Sequence, residues 1–325
     1  MLADYNHARF DPASAAGHYE SFFVRANHPS RPLAFWIRYT VFAPRGRPQD
    51  AIGELWAVVS DGESGKIAVA KQELPIARCE FARDRFFSRV GDAVQQDGRV
   101  QGQAGDIRWQ LIYEGAGAPL LMLPEQLYAA KLPRAKTLTG APMAVFTGTL
   151  AVGGNTIAVD GWRGSQNHNW GSRHTDRYAY GQVCGFDNAP DSFLELASAR
   201  LKFGPLWTPL MTPLVLRHAG REHALNGIGR SLRARARFEY FEWTFSGEGD
   251  GVGIDGWMRA RREDFAGLRY YNPPGGAKYC LNSKIADCDL TLRHADGRIE
   301  TLVASRRAAF EILTDDLQHG VPIMA

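Results

Sequence analysis

D-G-W-R-G-S-Q-N-H-N-W-G-S-R-H-T-D-R-Y-A-Y-G-Q, Asp160 to Gln182, gathers imidazole, indole, phenol, guanidinium and amide side chains near the middle of the chain. If its backbone is extended, alternate residues share a face, so Gln166, His168 and Trp170 point one way and Asn167 and Asn169 the other. Farther on, Tyr178, Tyr180 and Gln182 share a face, and Gly181 leaves room for another group to approach the backbone. The pattern reads as a pocket wall. The plainer alternative is a pair of barrel-core strands whose Trp, Tyr and His tips are satisfied internally.

Outward from this stretch, strands follow one another in both directions. Upstream, after an irregular arm over residues 1–17, His18–Ala26 and Leu33–Ala43 form a first pair split by N-H-P-S-R-P. In the second of these, Leu33, Phe35, Ile37, Tyr39 and Val41 show the two-residue period of a strand. Gly53–Ser60 and Lys66–Leu74 continue the meander, then the short segments Phe86–Val90, Ala93–Gln96 and Arg99–Gln103 are separated by G-D and D-G turns. Alternation returns at Ile107, Trp109, Leu111 and Tyr113. L-L-M-L-P-E-Q-L-Y-A-A-K-L-P is read as one short helical turn, and Met143–Val152 with Asn155–Val159 complete a first sheet.

Downstream the chain begins again: Tyr178–Phe186, a D-N-A-P-D-S turn and Phe193–Phe203 echo the opening pair, a weak internal repeat. Further strands are expected at Leu214–His218, Ser231–Arg237, Phe238–Phe245, Ile254–Arg262, Tyr279–Ile285, Cys288–His294 and Ile299–Ala308. The run G-E-G-D-G-V-G joins two strand-like segments with no helix after it, which makes it a hairpin and not a phosphate cradle. Short strands at regular spacing favour a barrel or sandwich. The expectation is an all-β protein of two successive antiparallel halves, 1–165 and 166–325, with the junction between 160 and 203.

A chain of 325 residues with 45% hydrophobic and 22% charged residues has the composition of a soluble globular protein with a sizeable core. The net charge of +3 is small for this length and the arginines are scattered, which argues against a nucleic-acid partner. No apolar run reaches transmembrane length and the first residues lack a basic, then apolar, leader, so a cytoplasmic location is expected. Cys79, Cys184, Cys280 and Cys288 are widely separated with no C-x-x-C, the usage of reduced, buried thiols. Oligomeric state is left open.

Hydrolase motifs of the G-x-S-x-G kind are absent, and His168 and His174 are not spaced to ligate one metal from a strand or a helix, so no metal is expected. Glu195 stands out instead, a carboxylate in the middle of the apolar run F-L-E-L-A. If it points inward, burial raises its pKa and makes it a proton donor near neutral pH. The alternative is an ion pair with Arg173 or Arg200. Trp162, Trp170 and Trp207 have π-faces suited to a cation or to plain core packing.

In Q-N-H-N-W-G (Gln166–Gly171), the aromatic Y-A-Y-G-Q and the acid-bearing F-L-E-L-A-S-A-R, the sequence resembles a tandem lipocalin-like family. That family includes hydroxyneurosporene synthase (carotenoid 1,2-hydratase), AttH-like bacterial proteins and, more remotely, tocopherol cyclase and fungal survival-factor-like proteins. The resemblance implies two calycin-type barrels side by side, a bulky hydrophobic ligand, and hydration or cyclisation without a redox cofactor. It places His168 and Trp170 in a pocket motif and Glu195 as the acid that protonates an alkene. Phe193 departs from the pattern, which has a tyrosine two residues before that acid. Together these readings nominate Glu195 and His168 as catalytic, with Gln166, Asn169, Trp170, Arg173, Tyr178, Tyr180, Gln182 and Phe193 contacting an isoprenoid- or polyketide-like ligand. A carrier without chemistry, and an interaction module with a filled pocket, are the rival readings.

Overall fold

The computed structural model describes residues 4–115 and 117–325. Four strands open the chain as a meander, β1 (His18–Asn27), β2 (Leu33–Ala43), β3 (Ile52–Asp61) and β4 (Lys66–Pro75). Five shorter ones follow, β5 (Cys79–Phe81), β6 (Phe87–Val90), β7 (Ala93–Gln96), β8 (Arg99–Ala104) and β9 (Ile107–Glu114). After the two-residue β10 (Leu120–Leu121) and the one-turn helix α1 (Gln126–Ala129) come two long strands, β11 (Ala135–Val152) and β12 (Asn155–Gly171). All pair antiparallel in the order β4-β3-β2-β1-β12-β11-β9-β8-β7-β6-β5, with β10 against β11, and the sheet curls into a nearly closed barrel.

The second sheet starts at β13 (Arg177–Cys184) and β14 (Phe193–Arg200). A small ribbon, β15 (Lys202–Phe203) with β16 (Leu206–Trp207), precedes β17 (Leu214–His218), β18 (Arg221–Ala224), the helix α2 (Ile228–Arg233), β19 (Arg235–Glu239) and β20 (Glu242–Gly249). β21 (Val252–Arg259), β22 (Ala266–Tyr271), β23 (Ala277–His294) and β24 (Ile299–Thr314) finish it, in the order β18-β17-β14-β13-β24-β23-β21-β20-β19 with β22 against β23. The fold is all-β and lipocalin-like.

Alternation decides what each sheet buries. Val24 and Ala26 of β1 and Phe35, Ile37 and Tyr39 of β2 point into the first barrel with Trp109, Phe146 and Trp162. The opposite faces of the same strands turn to the second sheet: Phe23 and Trp36 pack with Leu268, Tyr270, Cys280 and Leu313. Both faces of the central strands are therefore buried, one as a barrel core and one as a seam between sheets.

Many expected strands are present, and the glycine run is the β20–β21 hairpin. Several readings need correction. β11 starts at Ala135 and not at Met143, Tyr279–Ile285 and Cys288–His294 are the single strand β23, β24 runs past Ala308 to Thr314, and Phe238–Phe245 is split by the turn between β19 and β20. β12 does not end at Val159 but runs on to Gly171, and the second sheet begins at Arg177. Ser231–Arg233 belongs to α2, which lies against β20, and not to a strand; the buried residue of that helix is Ser231. β22 was passed over in A-G-L-R-Y-Y, a short strand with a charge in its middle.

Candidate functional site

β12 pairs with β1 so that Gln166 lies opposite Val24 and His168 opposite Phe22. Val24 points into the barrel, and Gln166, His168 and Trp170 follow it. What they meet there is the protein's own N-terminal arm. Asn6 Nδ2 donates to Gln166 Oε1 at 2.7 Å, and the Arg9 guanidinium lies 5.6 Å from the Trp170 ring centre. His168 stacks on Phe22 at 4.1 Å, with Nδ1 2.7 Å from the Tyr5 carbonyl and Nε2 2.8 Å from Glu20 Oε1. Glu20 also accepts from the Arg9 and Phe10 amides and lies 3.1 Å from His18 Nε2. Burial by itself would raise the Glu20 carboxyl, but the hydrogen bonds from His168 and His18 outweigh it and hold it at about 2.

The other face of β12 belongs to the seam. Asn167 Nδ2 donates to Ser165 Oγ at 2.8 Å, Ser165 Oγ to Gln182 Oε1 at 2.7 Å, and Gln182 Nε2 to Asn167 Oδ1 at 2.9 Å. Arg25, buried, extends this ring by donating to Gln182 Oε1 at 3.3 Å. β13 and β14 pair Gln182 with Glu195, so the carboxyl sits directly beside the amide ring. Glu195 is fully buried; its Oε2 is 2.8 Å from Thr139 Oγ1, and its Oε1 accepts from the Tyr180 hydroxyl at 2.9 Å.

Thr139 ties the carboxyl to the amide ring: its Oγ1 accepts from Gln182 Nε2 at 3.3 Å and lies 2.9 Å from Asn167 Oδ1, which also accepts from Gln182. The single Thr139 proton serves either Asn167 or Glu195. A protonated Glu195 would donate to Thr139 and free the Thr139 proton for Asn167; an ionised one would take the Thr139 proton and leave Asn167 to Gln182. Burial pushes the Glu195 carboxyl up to about 7, against the pull of the Thr139 and Tyr180 hydroxyls. No described cation lies within ion-pair distance of it; Arg173 is taken by Asp176.

A cavity of about 220 Å³ opens on the same seam. β1 and β2 contribute Tyr19, Phe23, Trp36 and Arg38; β12 contributes Asn169, β13 Tyr178 and Tyr180, β22 Tyr270 and β24 Glu311. Met122, Leu123, Leu127, Met211 and Ile228 make the rest mostly apolar. His174 lines it too, stacked on Tyr19 at 3.9 Å with Nε2 3.1 Å from the Tyr271 carbonyl, and burial with the Arg38 charge pushes it down to about 3, so it is neutral.

Of the nominated residues, the structure gathers Glu195, Gln182, Tyr180, Tyr178 and Asn169 on the seam. It separates them from His168, Gln166 and Trp170, which face the barrel interior. The expected meeting of Glu195 with His168 and Trp170 does not occur, because the strand period that puts the imidazole and indole on one face puts the asparagines on the other. Glu195 itself stands behind Tyr180 and does not line the cavity. Phe193 packs with Leu120, Cys184 and Val215, and Arg173 is half-exposed beside Asp176. The group that Gly181 admits is the Met258 side chain of the second core; a Cβ there would come 2.3 Å from its sulfur. Sequence reading missed Thr139, Asn167, Arg38 and Glu311. Arg38 carried a signal of the same kind as Glu195, a charge inside the apolar strand F-W-I-R-Y-T. Among the described residues no cluster of three His, Cys, Asp or Glu is arranged to hold a metal ion, and no helix is long and apolar enough to cross a membrane.

No protein-family profile matches the chain. In sequence it is 26% identical over 281 residues to the uncharacterised protein Rv0493c of Mycobacterium tuberculosis, covering 86% of this chain and 82% of that one. In structure it is similar to the AttH-like protein NE1406 of Nitrosomonas europaea (TM-score 0.60, 14% identity, 97% and 96% of the two chains covered). It is similar also to kievitone hydratase of Nectria haematococca (TM-score 0.57, 10% identity, 97% and 93% covered). CghA with Sch210972 aligns at TM-score 0.59, 13% identity and 98% of each chain. At these identities the likeness is one of fold, and the chain shares the all-β fold of these proteins.

Proposed function

We propose that the protein binds a bulky hydrophobic small molecule in the seam cavity and hydrates or cyclises it by acid catalysis, with Tyr180 as the group that touches the ligand and Glu195 as the proton store behind it. The observation that carries this reading is a fully buried carboxyl, free of any described cation, hydrogen-bonded at 2.9 Å to a hydroxyl whose own residue lines the cavity. A neutral acid with a pKa near the working pH is what general-acid chemistry needs. The Tyr180 hydroxyl, pushed well up by burial, stays protonated. The Tyr180 hydroxyl swings from Glu195 Oε1 to the ligand and gives its proton to one carbon of a double bond, and the neutral Glu195 carboxyl turns its own proton to the phenolate oxygen left behind. Water or an internal nucleophile then captures the cation at the other carbon, and the proton it releases returns to Glu195. The aromatic faces of Trp36, Tyr178 and Tyr270 suit the developing positive charge. The structural similarity to kievitone hydratase supports a hydration of this kind.

A second reading, a carrier without chemistry, is supported by the position of Glu195 behind the cavity wall. Native mass spectrometry of the protein with its co-purified ligand, for the wild type, Tyr180→Phe and Glu195→Gln, separates the two. Both substitutions should slow conversion by about 100-fold or more, the usual worth of a general acid, so the variants carry unconverted ligand. The same ligand in all three proteins, by mass for hydration and by chromatographic retention of the released ligand for cyclisation, which leaves the mass unchanged, would leave the carrier reading standing.

A further inference from the structure

Four ionisable side chains other than tyrosine line the cavity: Arg38, Lys136, His174 and Glu311. Their charges do not cancel. Glu311 is held by Lys284 at 2.6 Å and by Asn282 at 3.1 Å, so its charge is spent on the second sheet. Lys136 Nζ donates to the Ala130 and Pro133 carbonyls, both at 2.9 Å, and has no carboxylate beside it among the described residues.

Arg38 is the sharper case. It is 5% exposed, lies 4.5 Å from the Tyr270 ring centre and 5.7 Å from that of Trp36, and donates only to two neutral hydroxyls, Thr40 at 3.0 Å and Ser21 at 2.6 Å. The carboxylates whose fields reach it, Glu54 and Glu311, are each paired with a lysine, Glu54 with Lys71 at 2.9 Å. Arg25 shows the contrast. It too lacks a carboxylate, but it is supplied with acceptors by Gln182, Cys184, Asn27 and the Arg307 carbonyl, and it does not reach the cavity. A buried guanidinium is normally matched by an anion or by a full set of acceptors. Arg38 has neither. Nearby polar atoms are also under-supplied: Asn169 Oδ1 is buried without a donor, and the Tyr270 hydroxyl finds no oxygen or nitrogen partner among the described residues.

We infer that the ligand carries an anionic oxygen group, a carboxylate or an equally acidic enolate, that docks on Arg38 while its hydrocarbon body lies against Met122, Leu123, Leu127 and Met211. The inference rests on the proposed use of this cavity and adds the class of head group. A guanidinium between two aromatic faces presents its N–H groups in a planar fork suited to two oxygens of one anion. Walls of net positive charge around a low-dielectric hollow favour an anion further.

Decanoate and methyl decanoate, matched in chain and differing in charge, test it by isothermal titration and by quenching of Trp36 fluorescence. The wild type should bind the acid at least about tenfold more tightly than the ester, the worth of a charged hydrogen bond. Arg38→Met should lose the preference and keep the ester. Arg38→Lys, which retains the charge if Arg38→Met fails to fold, should keep a reduced preference. Equal binding of acid and ester by the wild type, or an acid preference that survives in Arg38→Met, overturns the assignment to Arg38 while the cavity reading stands. If neither compound binds the wild type, the cavity reading falls and this one with it.

Discussion

β12 separates two buried glutamates that share a residue type and nothing else. On its barrel face, Glu20 accepts from two backbone amides and two imidazoles and is held at about 2. On its seam face, Glu195 meets two hydroxyls and an amide ring and is raised to about 7. Burial penalises the charge of both. The donors decide the outcome: two imidazole rings and two backbone amides surround the Glu20 carboxylate, whereas the hydroxyls at Glu195 do not offset the cost of burying its charge. One strand thus divides an ionised acid that anchors the arm from a neutral acid within the seam.

The largest effect expected from this contrast is at Glu20. Glu20→Gln leaves His168 and His18 without their anion, and removing one partner of a buried pair costs about 3–5 kcal/mol. Urea unfolding at pH 7 measures it, and a loss under about 1 kcal/mol would mean that the pair contributes no more than a surface contact. The wild type should also lose this contribution as pH falls from about 4.5 toward 2, since the folded carboxyl is the more acidic one.

Glu195 has the opposite sign. Its folded pKa is raised, so the stability tied to its neutral form is complete below about 4.5 and is lost as pH rises through about 7, on the order of 3 kcal/mol in all. Glu195→Gln cannot ionise, so its melting temperature should gain on the wild type between pH 5 and pH 8. A difference between the two proteins that does not change over that range would show that Glu195 is already ionised at pH 5. The smallest effect belongs to Thr139→Val, which removes one link between Glu195 and Asn167. It should cost about 1 kcal/mol and move the Glu195 titration upward, because the ionised carboxyl loses a donor, read as the carboxyl band by infrared spectroscopy; a downward move would show that Thr139 serves Glu195 only as an acceptor.

Much of this was legible in the sequence. The strand period at Gln166–Trp170 assigned each side chain to a face, the mid-strand acid marked Glu195, and Tyr178, Tyr180 and Gln182 lie on one face as their spacing required. What spacing could not say was which face looks at what, because both faces of β12 are buried and polarity does not tell inside from outside. The partner that claims His168 is Glu20, far back in the chain, and only the β1–β12 register brings them together. Arg38 was readable by the rule that found Glu195, but it lies on the strand face opposite Leu33, Phe35, Ile37, Tyr39 and Val41, where a charge is ordinary unless that face is buried too.

That β12 serves two compartments has a consequence for how the segment can change over time. Single substitutions on either side disturb one compartment and spare the other. Inserting or deleting one residue ahead of Gln166 would instead exchange the two sides at once, presenting histidine and tryptophan to the cavity and asparagines to Glu20. Length variation should therefore collect in the neighbouring loops, while Gln166 to Gly171 holds its frame even where its letters drift.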